Sequence, residues 1–164
     1  QARAIADFLA EEKTYGNMYP VGDSVCVWYA GWMGVAFARL GQLDRARVCI
    51  EQAVAETNCF AEIFEISKPV HHPWFTTAEA TFVQMVNESL LQSSPGEIRI
   101  LPGPGEDYAF RLPADGGVQV EARFADGRPE HIRLRASRPY AGRIVLPDGT
   151  VREVRLDAGA TCVV

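Results

Sequence analysis

Lysine is nearly missing from this chain of 164 residues: Lys13 and Lys68 are the only two. Basic charge rests on arginine, and 16 Lys+Arg face 21 Asp+Glu for a net charge of −5. A nucleic-acid partner needs a basic footprint, so this balance argues against one. There is no apolar run of membrane-spanning length and no secretory signal pattern, which predicts a soluble chain with no membrane partner. The four cysteines (Cys26, Cys49, Cys59, Cys162) are scattered, with no CxxC pair and no histidine at zinc-finger spacing. They read as buried free thiols, which mildly favours a reducing, cytoplasmic compartment. No initiator methionine precedes Gln1. The expectation is a piece of a longer protein, in which any targeting signal for a secreted or periplasmic location would lie upstream.

What is present divides near residue 95. The first 95 residues hold 6 Lys+Arg against 11 Asp+Glu and all three tryptophans, while the remainder holds ten arginines against ten acids. The periodicity changes at the same place. Residues 1–95 read as antiparallel helical hairpins. A first helix over about 2–13 places Ala4, Ile5, Phe8 and Leu9 on one face. A second, "SVCVWYAGWMGVAFARL", carries no charge until Arg39 and so belongs among other helices. After Gly41, "LDRARVCIEQAVAET" forms a third, with a stripe of Ala46, Cys49, Ile50 and Ala53 that Val54 widens. Thr76 and Glu79 have capping-box spacing at the head of a fourth, mostly apolar helix reaching about Ser93.

The order is outer, long loop, inner, short loop, outer, long loop, inner. Both long loops therefore enter at one end of the bundle, where binding and catalytic groups sit well on a rigid scaffold. From 96 to 164 the period is 2, around the hairpin signals Asp126-Gly127 and Asp148-Gly149. Six or seven short antiparallel strands are expected, one face apolar and the other arginine-rich. The fold class is α+β: helical hairpins first, then an antiparallel sheet or sandwich.

The join carries the most specific signal. "NESLLQSSPGEIRILPGPG" (87–105) resembles a stretch near the C-terminus of six-hairpin glycosidases, above all the α-L-fucosidase-type enzymes of glycoside hydrolase family 95. Glu88, Leu90, Leu91, Gln92 and Ser93 fit the end of that family's last inner helix, and Gly96, Glu97, Ile98, Leu101 and Pro102 fit the strand that follows. The resemblance implies that the helices here are part of an α/α toroid and that the chain is a C-terminal portion of an inverting glycoside hydrolase. Its partners would then be a carbohydrate substrate and the missing N-terminal part of the same enzyme, with no cofactor. Counted back from Phe75, His72 stands where the family keeps a catalytic aspartate, with Pro73-Trp74 replacing Gly-Asn. The distance from Phe75 to the Leu-Leu-Gln-Ser segment also exceeds the family's.

Inverting hydrolysis needs two carboxyl groups flanking the scissile bond. Glu62 and Glu65 in the second long loop are the candidates beside His72. If that segment is extended the two acids point to opposite faces, and the alternative for each is a solvated loop acid. Adjacent His71 and His72 point apart and lack a third ligand, so no metal is expected. They suit hydrogen bonding to a sugar hydroxyl or to a carboxylate, or else packing at the helix start. Tyr15, Tyr19 and Trp74 either stack on sugar rings or pack where the loops meet. Asp23 is a helix cap or a substrate contact. Trp28 and Trp32 share a helix face and read as core.

"GPGEDY" lacks the third glycine and the strand-to-helix setting of a phosphate loop. "WMGVAFARLGQLDRARVCIEQAVAE" resembles a tetratricopeptide hairpin, but it occurs once, whereas a solenoid needs repetition. The alternatives to a hydrolase are therefore a non-catalytic carbohydrate-binding piece or a helical-repeat interaction module.

Overall fold

The computed structural model describes residues 27–55, 76–101 and 107–164, together with Ala4. The chain divides into two compact units, Gln1–Glu88 and Ser89–Val164. The architecture is α+β, with helices first and two sheets after them.

In the first unit, α1 spans Val27–Arg39, α2 spans Leu43–Ala55 and α3 begins at Thr76, ending at Leu90. The turn between α1 and α2 is a Schellman motif. Gly41 takes φ 73°, its N–H donates to Ala38 O at 3.1 Å, and Gln42 N–H donates to Phe37 O at 2.8 Å. The Gln42 carbonyl then accepts from Arg45 and Ala46, both at 3.1 Å, so one residue closes α1 and opens α2. That economy makes α2 fold back antiparallel to α1.

The helical core comprises Met33, Phe37, Ala38, Ala46, Cys49, Ala53, Ala78 and Met85. Burying a side chain such as Phe37 contributes about 1.5–3 kcal/mol. The alanines matter in another way, because short side chains let helix backbones approach. Glycine does the same on α1. A methyl at Gly31 would stand 2.6 Å from Thr81 Cβ, and one at Gly34 would stand 2.6 Å from Met85 Cγ and 3.1 Å from Cys49 Cβ. α3 therefore packs directly against α1.

Two expectations for this unit need correction. Val54 does not widen the buried stripe of α2; it is exposed. The two helices expected to be inner ones are not enclosed all round among the described residues, since Trp32 of α1 is 51% exposed and Val83 of α3 is also exposed. No described helix is long and apolar enough to cross a membrane.

The second unit holds eight strands among the described residues, in two four-stranded sheets. β1 (Leu91–Ser94), β2 (Glu97–Ile100), β6 (Tyr140–Val145) and β7 (Val151–Leu156) form one sheet in the order β1-β2-β6-β7. β3 (Tyr108–Ala114), β4 (Val118–Ala125), β5 (Arg128–Ala136) and β8 (Thr161–Val163) form the other, in the order β3-β4-β5-β8. The final helix stops three residues short of the expected Ser93. Leu91 instead opens a hairpin with Ile100, turning at Pro95-Gly96 with Gly96 at φ 78°. Leu91, Ile98 and Ile100 are buried, a period-2 arrangement that a continued helix would break.

Pairing is antiparallel except between β2 and β6, where Glu97 faces Arg143 in a parallel register. The chain leaves β2 and builds β3, β4 and β5 in the other sheet. It then returns alongside β2 running in the same direction. Alternation fills the inner faces: Ile98, Ile100, Ile144, Val154 and Leu156 from one sheet, and Phe110, Val120, Ala122, Phe124, Ile132 and Leu134 from the other. The arrangement is sandwich-like. Asp126 (φ 49°) and Gly127 (φ 69°) make the β4–β5 turn, the left-handed pair that a two-residue hairpin requires. Asp148 closes the β6–β7 loop by accepting from Thr150 N–H at 2.8 Å, a bond that holds its carboxyl below the usual range.

Candidate functional site

The direction of α3 follows from its contacts with α1. Gly31 meets Thr81, Gly34 meets Met85, and Arg39 meets Glu88, so residue numbers rise together along the two helices. α1 and α3 are parallel, with α2 antiparallel between them in sequence. Their N-termini, Val27 and Thr76, lie at one end. All eight residues singled out from the sequence (Tyr15, Tyr19, Asp23, Glu62, Glu65, His71, His72 and Trp74) precede Val27 or Thr76 in the chain and lie outside the described residues.

At that end α1 carries three aromatic rings. Trp28 stacks on Tyr29 with centroids 4.0 Å apart and meets Trp32 edge-on at 4.5 Å; Tyr29 and Trp32 are 5.7 Å apart. Trp28 packs against the helical core, while Trp32 faces water. The spacing of four residues had marked both tryptophans as core; it correctly gives them one face, but only Trp28 is covered. Tyr29 was not among the residues singled out, and its position beside Trp28 was the available signal. A large indole half in solvent, braced by two neighbouring rings, offers a rigid apolar face to a ligand.

The junction between α3 and the first hairpin has a local physical content. Glu88, 13% exposed, receives Arg39 in a two-point bond, Nε to Oε2 at 3.0 Å and Nη2 to Oε1 at 2.5 Å. The carboxylate thus ties the C-terminal ends of α1 and α3 together. Leu90 O accepts from Leu101 N–H at 3.0 Å, one bond beyond the Leu91–Ile100 pair that opens the hairpin.

A second feature lies on the outer face of the sheet β3-β4-β5-β8. Arg111, Glu121 and Arg133 stand in one register row, and Gln119, Arg135 and Thr161 in the next. Arg111 donates to Glu121 Oε2 through Nε at 3.2 Å and Nη2 at 2.9 Å. On the other oxygen, Oε1, His131 Nε2 stands at 3.6 Å and Arg133 Nη1 at 4.0 Å. One carboxylate therefore serves three basic groups. Among the described residues no three of His, Cys, Asp or Glu gather closely enough to hold a metal ion.

Comparison with family models and with curated proteins gives no match.

Proposed function

We propose that the chain is the C-terminal portion of a carbohydrate-active glycoside hydrolase, with α1 and α3 as neighbouring inner helices of an α/α barrel and α2 as the outer helix between them. The observation that carries this reading is the parallel contact of α1 and α3 through Gly31 and Gly34, with half-exposed Trp32 left on a helix that has almost no charge. An inner helix in a barrel segment has this character: one face against its own hairpin, another awaiting helices supplied elsewhere. The resemblance of residues 87–105 to the family's helix-to-strand junction supports it further.

In this reading the loops before Val27 and Thr76 supply the chemistry. Glu62 or Glu65 acts as general acid on the leaving oxygen, and a second carboxylate or His72 directs the water from the opposite side. Tyr15, Tyr19, Asp23, His71 and Trp74 contact the sugar, with Trp32 at the rim. Part of the site belongs to the N-terminal portion of the enzyme, so this chain alone is inactive. The test is turnover of a panel of aryl glycosides by a longer chain containing this segment. Loss of turnover on replacing Glu62, Glu65 or His72 by Ala supports the reading; unchanged turnover in all three removes the assigned site.

A further inference from the structure

The proposed function leaves the outer face of the sheet β3-β4-β5-β8 without a role, and its charge is unbalanced. Arg111, Arg123, Arg133 and Arg135 share two carboxylates, those of Glu121 and Glu130. Glu130 is taken by Arg123 at 2.9 Å. Glu121 is taken chiefly by Arg111, since both Arg111 bonds fall within hydrogen-bond reach while Arg133 stands at 4.0 Å. The surplus therefore lies on Arg133 and Arg135. These residues alternate on one exposed face of β5, about 7 Å apart. Gln119 and Thr161 flank them and complete a shallow polar depression.

We propose that this face binds a segment of an acidic polysaccharide, with sugar carboxylates received by the guanidinium groups of Arg133 and Arg135. The planar guanidinium fork matches a carboxylate in two-point fashion, which an ammonium does not; that preference gives the absence of lysine from the whole second unit a purpose. The choice of a glycan rests on the carbohydrate-active reading above, while the charge pattern stands without it. A nucleic acid fits less well for two reasons. Its charge density calls for a larger basic footprint than two surplus arginines in a chain of net charge −5. The outer-face positions of β3, β4, β5 and β8 also carry no Phe, Tyr or Trp on which a base would stack.

The experiment is isothermal titration of the 164-residue chain with polygalacturonate at low salt, with neutral dextran and duplex DNA as comparisons. Binding to polygalacturonate alone is expected, weakening as salt is raised. The double variant Arg133→Gln/Arg135→Gln loses about tenfold in affinity, as removal of two charge-assisted contacts should produce. The variant Arg152→Gln/Arg155→Gln, at two exposed positions of β7 in the other sheet, leaves binding unchanged. Glu121→Gln, which removes the competing carboxylate, tightens binding about threefold, a gain that misfolding cannot mimic. Absence of polygalacturonate binding, equal binding to DNA, or indifference to the Arg133/Arg135 pair would overturn the proposal. Binding here without hydrolysis by a longer chain would remove the hydrolase reading and leave this one; hydrolysis without binding would do the reverse.

Discussion

Arg39 and Glu88, forty-nine residues apart in sequence, close the ends of two parallel helices with a two-point ion pair. Arg39 is 60% exposed and Glu88 only 13%, so solvent screens the arginine while the carboxylate depends on its partner. Glu88→Ala should lower stability by about 1 kcal/mol and Arg39→Ala by somewhat less, with a coupling energy of about 0.5–1 kcal/mol in the double-mutant cycle. Urea unfolding of the four proteins measures this. Additive single effects would show that the pair holds nothing together.

Gly34 within α1 and Gly41 in the turn after it separate two kinds of constraint. At Gly34 a methyl would overlap Met85, and Gly34→Ala should cost about 1–3 kcal/mol through forced repacking. At Gly41 nothing lies within 4 Å, but φ is 73°. Gly41→Ala should cost about 1 kcal/mol through left-handed strain alone. Adding Met85→Ala should relieve part of the Gly34→Ala penalty and none of the Gly41→Ala penalty. Thermal unfolding of the double variants distinguishes them.

Cys49 is fully buried between α1 and α2, and burial pushes its thiol from the ordinary 9.0 up to about 12. The unfolded chain therefore releases this proton at lower pH than the folded chain does. Its stability contribution is intact below pH 9 and is lost between pH 9 and about 12, at about 1.4 kcal/mol per unit. Tyr108 and Tyr140 are also raised by burial, and extend the loss above pH 10. Cys49→Ala should flatten the profile between pH 9 and 10. Denaturant midpoints at pH 8, 9 and 10 check it, and a wild-type midpoint that does not change across this range would contradict the assignment.

Tyr140 fills the space over two glycines: a methyl at Gly116 would stand 2.6 Å from its Cδ2, and one at Gly142 would stand 2.8 Å from its Cζ. Its hydroxyl is buried with no hydrogen-bond partner. Tyr140→Phe should therefore leave stability unchanged or raise it by up to about 1 kcal/mol, while Tyr140→Ala should lower it by about 3–5 kcal/mol. Calorimetry of both variants tests whether the ring or the hydroxyl carries the packing.

Much of this fold is visible in particular residues. Gly41 ends α1 because only glycine takes that conformation cheaply, and Asp126-Gly127 marks its hairpin for the same reason. The alternation in "GVQVEARFADGRPEHIRLRAS" becomes β4 and β5 with the expected faces. Leu91 was misread because a run of two leucines satisfies either period, and only its pairing with Ile100 decides. The parallel register of β2 on β6 is a long-range choice that no local pattern encodes. Val54 shows the same limit, since a stripe's width depends on what covers it. For the candidate site, the sequence order placed both long loops at one end, and the contacts Gly31–Thr81 and Gly34–Met85 reproduce that geometry for the helices they enter. Glu62, Glu65 and His72 lie outside the described residues, so the roles proposed for them rest on the sequence order and the family resemblance.

The most direct test is turnover of aryl glycosides by a longer chain that includes this segment, comparing the parent with Glu62→Ala, Glu65→Ala and His72→Ala at matched thermal stability. A carbohydrate-active parent and a loss of about a hundredfold or more in at least one variant is the predicted result. Turnover unaffected by all three, or no turnover across the panel, would contradict the reading of this chain as the C-terminal portion of a glycoside hydrolase with its site at the loop end of α1 and α3.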